Sequence, residues 1–169
     1  AMECPCVSGG DIFREIAEDR DMSLTQLSAK AQASDELDRA LDQRLQSIAE
    51  KWATANKPFV LESRLAGWLA GRRADPRIYL DAPEEVRNAR IEDRKETVAE
   101  MSVREVNEAG RYRSYYELDI EDRTFYDLQV NTARWSKFGV FTLVRTAIEQ
   151  YEQANDEGSF ETPDVDFDL

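Results

Sequence analysis

The sequence predicts an α/β fold in which a parallel sheet is flanked by helices. Four short apolar segments have the length of strands, and amphipathic segments with helical periodicity separate them. Strands that alternate with helices in this way are typical of parallel sheets. The chain has 169 residues, of which 41% are hydrophobic, which is enough for one compact domain with its own core. We expect that domain to span residues 1–152 and a flexible acidic tail to follow at 153–169.

Each strand and helix is predicted from its local pattern. The strands are predicted at Cys4–Val7, Pro58–Glu62, Arg77–Leu80 and Tyr126–Val130. A turn is predicted at Ser8–Gly10, and a loop or short helix at Arg64–Gly71. Apolar residues at helical spacing predict the helices, which are expected at Asp11–Asp21, Ser23–Ala31, Ser34–Asn56, Arg87–Tyr116 and Ser136–Tyr151. Ser23 is a suitable N-cap, and Pro83 is suited to the first position of the helix that continues through Arg87.

The composition excludes several classes of function. The net charge is −13 and the pI is about 4.5, so a chain-wide nucleic-acid surface is not expected. No apolar run approaches the ~20 residues that span a bilayer, and no signal peptide is recognisable, so we expect a cytoplasmic protein without a membrane partner. The chain has no histidine, which excludes histidine-based acid/base chemistry and most hydrolase triads.

Arginine is unusually frequent among the basic residues. The chain has 17 arginines and 5 lysines. Because the planar guanidinium group binds phosphate through two hydrogen bonds at once, an acidic protein of this kind can hold a phosphorylated small molecule in a local basic pocket. The alternative is that little lysine and much acid are typical of proteins from a very salty cytoplasm. We expect both to apply.

Polar groups follow the predicted strands at the edge where parallel sheets bind ligands. The four strands end at Ser8–Gly10, Glu62–Arg64, Asp81 and Asn131–Thr132. Gly9 and Gly10 allow a ligand to approach the backbone, the following helix offers free N–H groups, and Arg14 adds a phosphate fork. The alternative is a tight turn with a solvated arginine.

Two further groups of charged residues are candidates for chemistry. Glu62 is suited to help hold a magnesium ion, and Arg64 is suited to bind a phosphate at the same sheet edge. The alternative is that Glu62 and Arg64 form a simple ion pair. Arginines recur at helical spacing, namely at Arg87, Arg90, Arg94, Arg104, Arg111 and Arg113. They indicate either a solvated helix face or a mobile lid that brings guanidinium groups to a phosphoryl group in transfer.

Several segments together resemble the archaeal-type cytidylate kinases, which are P-loop nucleoside monophosphate kinases. The similar segments are Ser8–Arg14, Glu62–Trp68, Arg111–Tyr116, Leu118–Ile120, Tyr126–Leu128, Asn131–Thr132 and Arg134–Ser136. They occur in order and extend over about residues 3–151. The resemblance implies a P-loop NTPase-like parallel sheet with a helical lid at about residues 90–116. It implies transfer of phosphate from ATP to CMP or dCMP with Mg²⁺, by a protein expected to act as a monomer.

The resemblance also implies roles for particular residues. Those implied to bind the substrate are Ser8, Asp11, Arg14, Arg64, Gly67 and Asp119. Glu62 is implied to position Mg²⁺ through water. The lid arginines that would close on the transferring phosphate are Arg90, Arg94, Arg104 and Arg111.

The chain departs from the family pattern in two places. Val106–Gly110 interrupts the continuously charged lid of the family. The family also opens with a central strand and a G-x-x-x-x-G-K loop ending in Ser or Thr, which has no counterpart here. We therefore expect that this central first strand is absent from the chain and that the chain alone is weakly active or inactive. The alternatives are a non-catalytic nucleotide-binding or regulatory protein that lacks the P-loop, or a related kinase that acts on UMP or AMP.

Overall fold

The computed structural model describes residues 4–34, 36–71, 75–90 and 98–151. Strands and helices alternate along these ranges, which confirms the predicted α/β class. In chain order the elements are β1 Cys6–Ser8, α1 Gly9–Asp19, α2 Leu24–Ala33, α3 Glu36–Thr54, β2 Val60–Glu62, α4 Ala66–Ala70, β3 Ile78–Asp81, α5 Glu84–Ala89, α6 Val98–Tyr116, β4 Leu128–Asn131 and α7 Lys137–Gln150. A 3₁₀ turn, Thr132–Arg134, follows β4.

The strands pair in parallel, as the alternation with helices predicts. β1 pairs with β2, and Ser8 lies opposite Glu62 at the carboxyl end of the pair. β3 pairs with β4, and Asp81 lies opposite Asn131 at the carboxyl end. In the described ranges the parallel sheet is therefore present as two pairs of strands.

The described residues form two compact units. Unit 1 contains the described part of residues 1–74 together with Tyr115–Leu118. Unit 2 contains the described part of Asp75–Ser114 and of Asp119–Glu161. Each unit holds one of the two strand pairs, so each presents one set of carboxyl ends at which a parallel sheet can bind a ligand.

The core of unit 1 lies between its helices. Ala17 of α1, Leu27 of α2 and Leu37 of α3 are buried against one another. Phe13 and Ile16 pack against this cluster, so the apolar face predicted for the first helix is confirmed. This packing fixes α1, and with it the end of β1, because α1 begins at the residue that follows β1.

Local side-chain signals determine where several helices begin and end. Ser23 and Gln26 form a capping box, with the Gln26 N–H donating to Ser23 Oγ at 3.2 Å and the Ser23 N–H donating to Gln26 Oε1 at 2.8 Å. Asn56 has a φ of 51°, the left-handed conformation that commonly follows the end of a helix. Ser136 caps α7 by accepting a hydrogen bond from the Gly139 N–H at 3.0 Å.

Unit 2 has an aromatic core beside its strand pair. The Tyr79 and Tyr126 rings meet edge to face with their centroids 5.1 Å apart, and Phe125 and Tyr126 are 4.6 Å apart. Phe125 and Val130 are buried. Within the described ranges, no helix is both long and apolar enough to pass through a lipid bilayer.

One local prediction is wrong. The turn predicted at Ser8–Gly10 is absent, because α1 already begins at Gly9. The segment predicted to be mostly helical, from Arg87 to about Tyr116, contains the end of α5 at Ala89 and the whole of α6. The predicted tail at 153–169 and residues 91–97 of the predicted lid lie outside the described residues.

Candidate functional site

The carboxyl ends of β1 and β2 bring a hydroxyl and a carboxylate together. Ser8 and Glu62 lie opposite each other in the parallel register, and Ser8 Oγ donates a hydrogen bond to Glu62 Oε2 at 2.6 Å. A hydroxyl that donates to a carboxylate at this distance makes a strong, charge-assisted hydrogen bond. Glu62 is exposed, so its carboxylate is accessible from solvent at this edge.

The absence of a side chain at Gly9 allows α1 to begin directly beside the loop that follows β2. A Cβ at Gly9 would lie 2.9 Å from Ser63 Cβ and 3.4 Å from Leu45 Cδ1. The first of these distances is too short for any residue other than glycine without a shift of the backbone. The start of α1 and the Glu62–Arg64 segment are therefore held next to each other.

Charged residues lie on both segments that form this edge of unit 1. Arg14 forms an ion pair with Asp11, and its guanidinium nitrogens lie 3.6 and 3.8 Å from the position that a Cβ of Gly10 would take. Arg14 thus turns back towards the first turn of α1, and both members of the pair are exposed. Arg64 follows β2 by two residues and is also exposed. Gly67, by contrast, is buried in α4.

A hydrogen-bonded network occupies the carboxyl ends of β3 and β4 in unit 2. Thr132 Oγ1 donates to the Asp81 carbonyl at 2.9 Å. Arg90 donates to Thr132 Oγ1 at 2.8 Å and to the Thr132 carbonyl at 2.9 Å. Arg87 donates to the Ala82 carbonyl and to a Glu105 carboxylate oxygen, both at 2.9 Å. Both arginines are thus held at the ends of the strands.

This network borders a cleft of about 550 Å³, the size of a small-molecule site. Residues that line it include Asp81, Ala82, Arg87, Arg90, Thr132 and Trp135. The cleft combines guanidinium groups with an aromatic ring, which together can hold phosphate and stack on a base.

Asp81 has a further partner that the sequence did not reveal. Arg123 Nη1 donates to Asp81 Oδ2 at 2.9 Å, and Arg123 Nη2 donates to Glu121 Oε2 at 2.9 Å. Burial lowers the pKa of Arg123, but the neighbouring Tyr79, Asp81 and Glu121 raise it above its ordinary value, so the guanidinium group is charged. The position of Asp81 at a strand end was the available sequence signal, whereas the contact with Arg123 spans 42 positions.

The remaining predicted lid and substrate residues are placed only in part. Arg94 lies outside the described residues, and Arg104 lies on α6 with its side chain not described. Arg111 is half-buried on the same helix. Asp119 is exposed; its Oδ2 lies 3.5 Å from Arg113 Nη2, and its Oδ1 accepts a hydrogen bond from a backbone N–H.

Comparisons with known proteins show the family to which the chain belongs. A family model described as an AAA domain matches residues 1–113. The cytidylate kinase of Haloquadratum walsbyi is 48% identical over 168 residues, covering 96% of this chain and 85% of the relative. The chain belongs to the cytidylate kinase family. The cytidylate kinase of Pyrococcus horikoshii is 37% identical over 164 residues, covering 94% of this chain and 82% of that relative.

The acidic composition of the chain fits its similarity to cytidylate kinases of halophilic organisms. The cytidylate kinase of Natronomonas pharaonis is 46% identical over 168 residues, covering 96% of this chain and 85% of the relative. The net charge of −13 is typical of the acidic surface predicted for a protein from a salty cytoplasm. No solved structure matches the chain significantly.

Proposed function

We propose that the protein transfers the terminal phosphoryl group of ATP to CMP or dCMP, giving ADP and CDP or dCDP. The observation that carries this proposal is the contact between Ser8 and Glu62 at adjoining strand ends in a chain of the cytidylate kinase family. Arg14 lies on the helix that follows β1, and Arg64 lies two residues after β2. Phosphoryl transfer depends on positioning and charge neutralisation, which arginines and a carboxylate supply without histidine.

The edge of unit 1 is the proposed acceptor site. Arg14 and Arg64 are exposed there, and their guanidinium forks match the geometry of the acceptor phosphate. Ser8 and Asp11 offer a hydroxyl and a carboxylate for the sugar or base. Gly67, three residues after Arg64 and buried in α4, is proposed to belong to the same substrate site.

Glu62 fits a role in holding Mg²⁺ through water. Its carboxylate accepts one hydrogen bond from Ser8, which leaves acceptor capacity for metal-bound water. Mg²⁺ in such sites keeps several waters and is held by few carboxylates together with substrate phosphates. When bound, the ion neutralises the charge that develops on the transferring phosphoryl group.

The cleft of unit 2 is the proposed site of the donor nucleotide. It lies at the carboxyl ends of β3 and β4, where α/β sheets bind ligands, and it contains Arg90 and Trp135. Arg94, Arg104 and Arg111 are proposed to act with Arg90 on the phosphates. Asp119 is proposed to support the lid, because it contacts Arg113 in the last turn of α6.

The proposed partners are nucleotides only. The net charge of −13 opposes association with nucleic acid or an anionic membrane surface. We propose that the protein acts in the cytoplasm as a monomer.

An acceptor panel tests the proposed function. The full-length protein is assayed with ATP and Mg²⁺ in molar KCl against CMP, dCMP, UMP and AMP. We expect CMP and dCMP to be phosphorylated with a kcat/KM well above that of UMP or AMP. Preference for UMP or AMP would favour the related-kinase alternative. Binding of CMP without turnover of any acceptor would favour the non-catalytic nucleotide-binding alternative.

A further inference from the structure

Arg123 is held by three neighbours in unit 2. Its two terminal nitrogens each make a 2.9 Å hydrogen bond, one to Asp81 Oδ2 and one to Glu121 Oε2. Its guanidinium carbon lies 4.4 Å from the centroid of the Tyr79 ring, a cation–π contact. The side chain is 30% exposed, so these contacts are only partly screened by solvent. The guanidinium group is therefore fixed in one orientation.

The Asp81 carboxylate is correspondingly fixed at both oxygens. Oδ2 accepts from Arg123, and Oδ1 accepts from the Ala82 N–H at 2.8 Å. The Asp81 carbonyl accepts from Thr132, whose hydroxyl in turn accepts from Arg90. Asp81 therefore connects Arg123 to the residues that border the cleft.

The charge of Asp81 is relevant to ligand binding, because Asp81 lines the cleft. Among the described residues that line the cleft, Asp81 is the carboxylate, whereas Arg87, Arg90 and Lys137 are cations. An uncompensated carboxylate at this position would repel an anionic ligand and would compete with it for Arg90. The bond to Arg123, which is not among the residues that line the cleft, offsets the charge of Asp81.

We propose that Arg123 is a positioning residue for the donor nucleotide, because it holds Asp81 and offsets its charge so that the cleft presents net positive charge to a polyphosphate. The inference rests on the proposed function, in which this cleft receives ATP. Arg123 acts through Asp81 and does not itself contact the nucleotide.

The test measures kcat and the KM values for ATP and CMP in Arg123→Gln, Arg123→Lys and the double variant Arg123→Gln/Asp81→Asn. Arg123→Gln is expected to raise the KM for ATP about tenfold, the effect of losing one partly buried charge partner, and to leave the KM for CMP unchanged. Arg123→Lys keeps the charge and is expected to stay within about threefold of the original KM for ATP. Arg145→Gln, which removes an exposed pair with Glu149 on α7, is the matched control.

The double variant separates positioning from mere structural support. If Arg123 offsets Asp81, removing both charges returns the KM for ATP towards the original value; a structural role predicts no recovery. Equal changes in the KM for CMP, or a double variant no better than Arg123→Gln, would overturn the proposal. Binding of a non-hydrolysable ATP analogue, measured by calorimetry on the same proteins, must follow the same order. Should the unsubstituted enzyme bind this analogue but phosphorylate no acceptor, the proposed function fails while the test of Arg123 still stands.

Discussion

Ser8 Oγ and Glu62 Oε2 lie 2.6 Å apart and join the carboxyl ends of β1 and β2. The hydroxyl orients the carboxylate, so under the proposed role of Glu62 the orientation of a metal-bound water would depend on Ser8. The parallel register brings these side chains together although they are 54 positions apart in the sequence.

Substitution of Ser8 should therefore change the response to Mg²⁺. Ser8→Ala is expected to raise the Mg²⁺ concentration for half-maximal rate several-fold, and Glu62→Gln to raise it further, because the first loses orientation and the second loses charge. Initial rates at saturating nucleotide measure this. Ser47→Ala, at an exposed position on α3, is the control. Unchanged Mg²⁺ dependence in both variants would argue against the assignment of Glu62.

The close approach at Gly9 predicts a loss of stability on substitution. In Gly9→Ala the new methyl would lie 2.9 Å from Ser63 Cβ, so we expect a loss of about 1–3 kcal/mol in the free energy of unfolding. Gly110→Ala is the matched control, because a Cβ there meets nothing within 4 Å and the helix should gain about 0.5–1 kcal/mol. Denaturant unfolding measures both. Equal effects of the two substitutions would show that the packing at Gly9 is not tight.

The raised pKa of Tyr116 predicts that the protein loses stability at alkaline pH. Its hydroxyl donates to Asp42 at 3.1 Å, and burial followed by the Asp42 charge raises the pKa of Tyr116 above its ordinary value. Above about pH 10 an unfolded tyrosine loses its proton whereas the folded one keeps it. The unfolded state then binds fewer protons, so this contribution is complete below about pH 10 and is lost as the pH rises.

The substitution Tyr116→Phe isolates this contribution. At neutral pH it should cost about 1–3 kcal/mol, because it removes a buried hydrogen bond to a carboxylate. Between about pH 10 and 11 its free energy of unfolding should fall less steeply than that of the original protein. Tyr115→Phe, at the neighbouring position of α6, is the control. Identical slopes for Tyr116→Phe and the original protein would contradict the assigned pKa shift.

The acidic composition predicts stabilisation by salt. With 35 acidic and 22 basic residues, the folded chain repels itself, and added ions screen this repulsion. Thermal unfolding in increasing KCl should show a rising midpoint. A midpoint that is the same in dilute buffer and in molar KCl would count against adaptation to high salt.

Local signals in the sequence predicted the elements better than the contacts between them. The caps at Ser23 and Ser136 are local, and both helices begin where predicted. Adjacent glycines favour turns and so predict a turn at Gly9, whereas in the structure Gly9 is the first residue of α1 and lies close to Ser63, which is distant in sequence. Patterns among neighbouring residues could not predict this packing, because Gly9 and Ser63 are far apart in the sequence.

The candidate site shows the same division. Strand ends predicted Ser8, Glu62 and Arg64 as site residues, because ligands bind at the carboxyl ends of parallel strands. Helical spacing left Arg90 on either a solvated helix face or a lid, and it did not reveal the hydrogen bond to Thr132, 42 positions away. Spacing along a helix carries no information on such a contact.

The central claim is that the edge of unit 1 binds the phosphate of CMP through Arg14 and Arg64. Calorimetric binding of CMP to the full-length protein tests it most directly, with Arg14→Ala, Arg64→Ala and the control Arg44→Ala, which removes an exposed pair with Glu15. Cytidine, which lacks the phosphate, is titrated in parallel.

We predict that Arg14→Ala and Arg64→Ala each weaken CMP binding about 10- to 100-fold, as expected for losing a charge-assisted phosphate contact, while cytidine binding and Arg44→Ala stay unchanged. If both arginine variants bind CMP as tightly as the original protein, the acceptor site is not at this edge of the molecule.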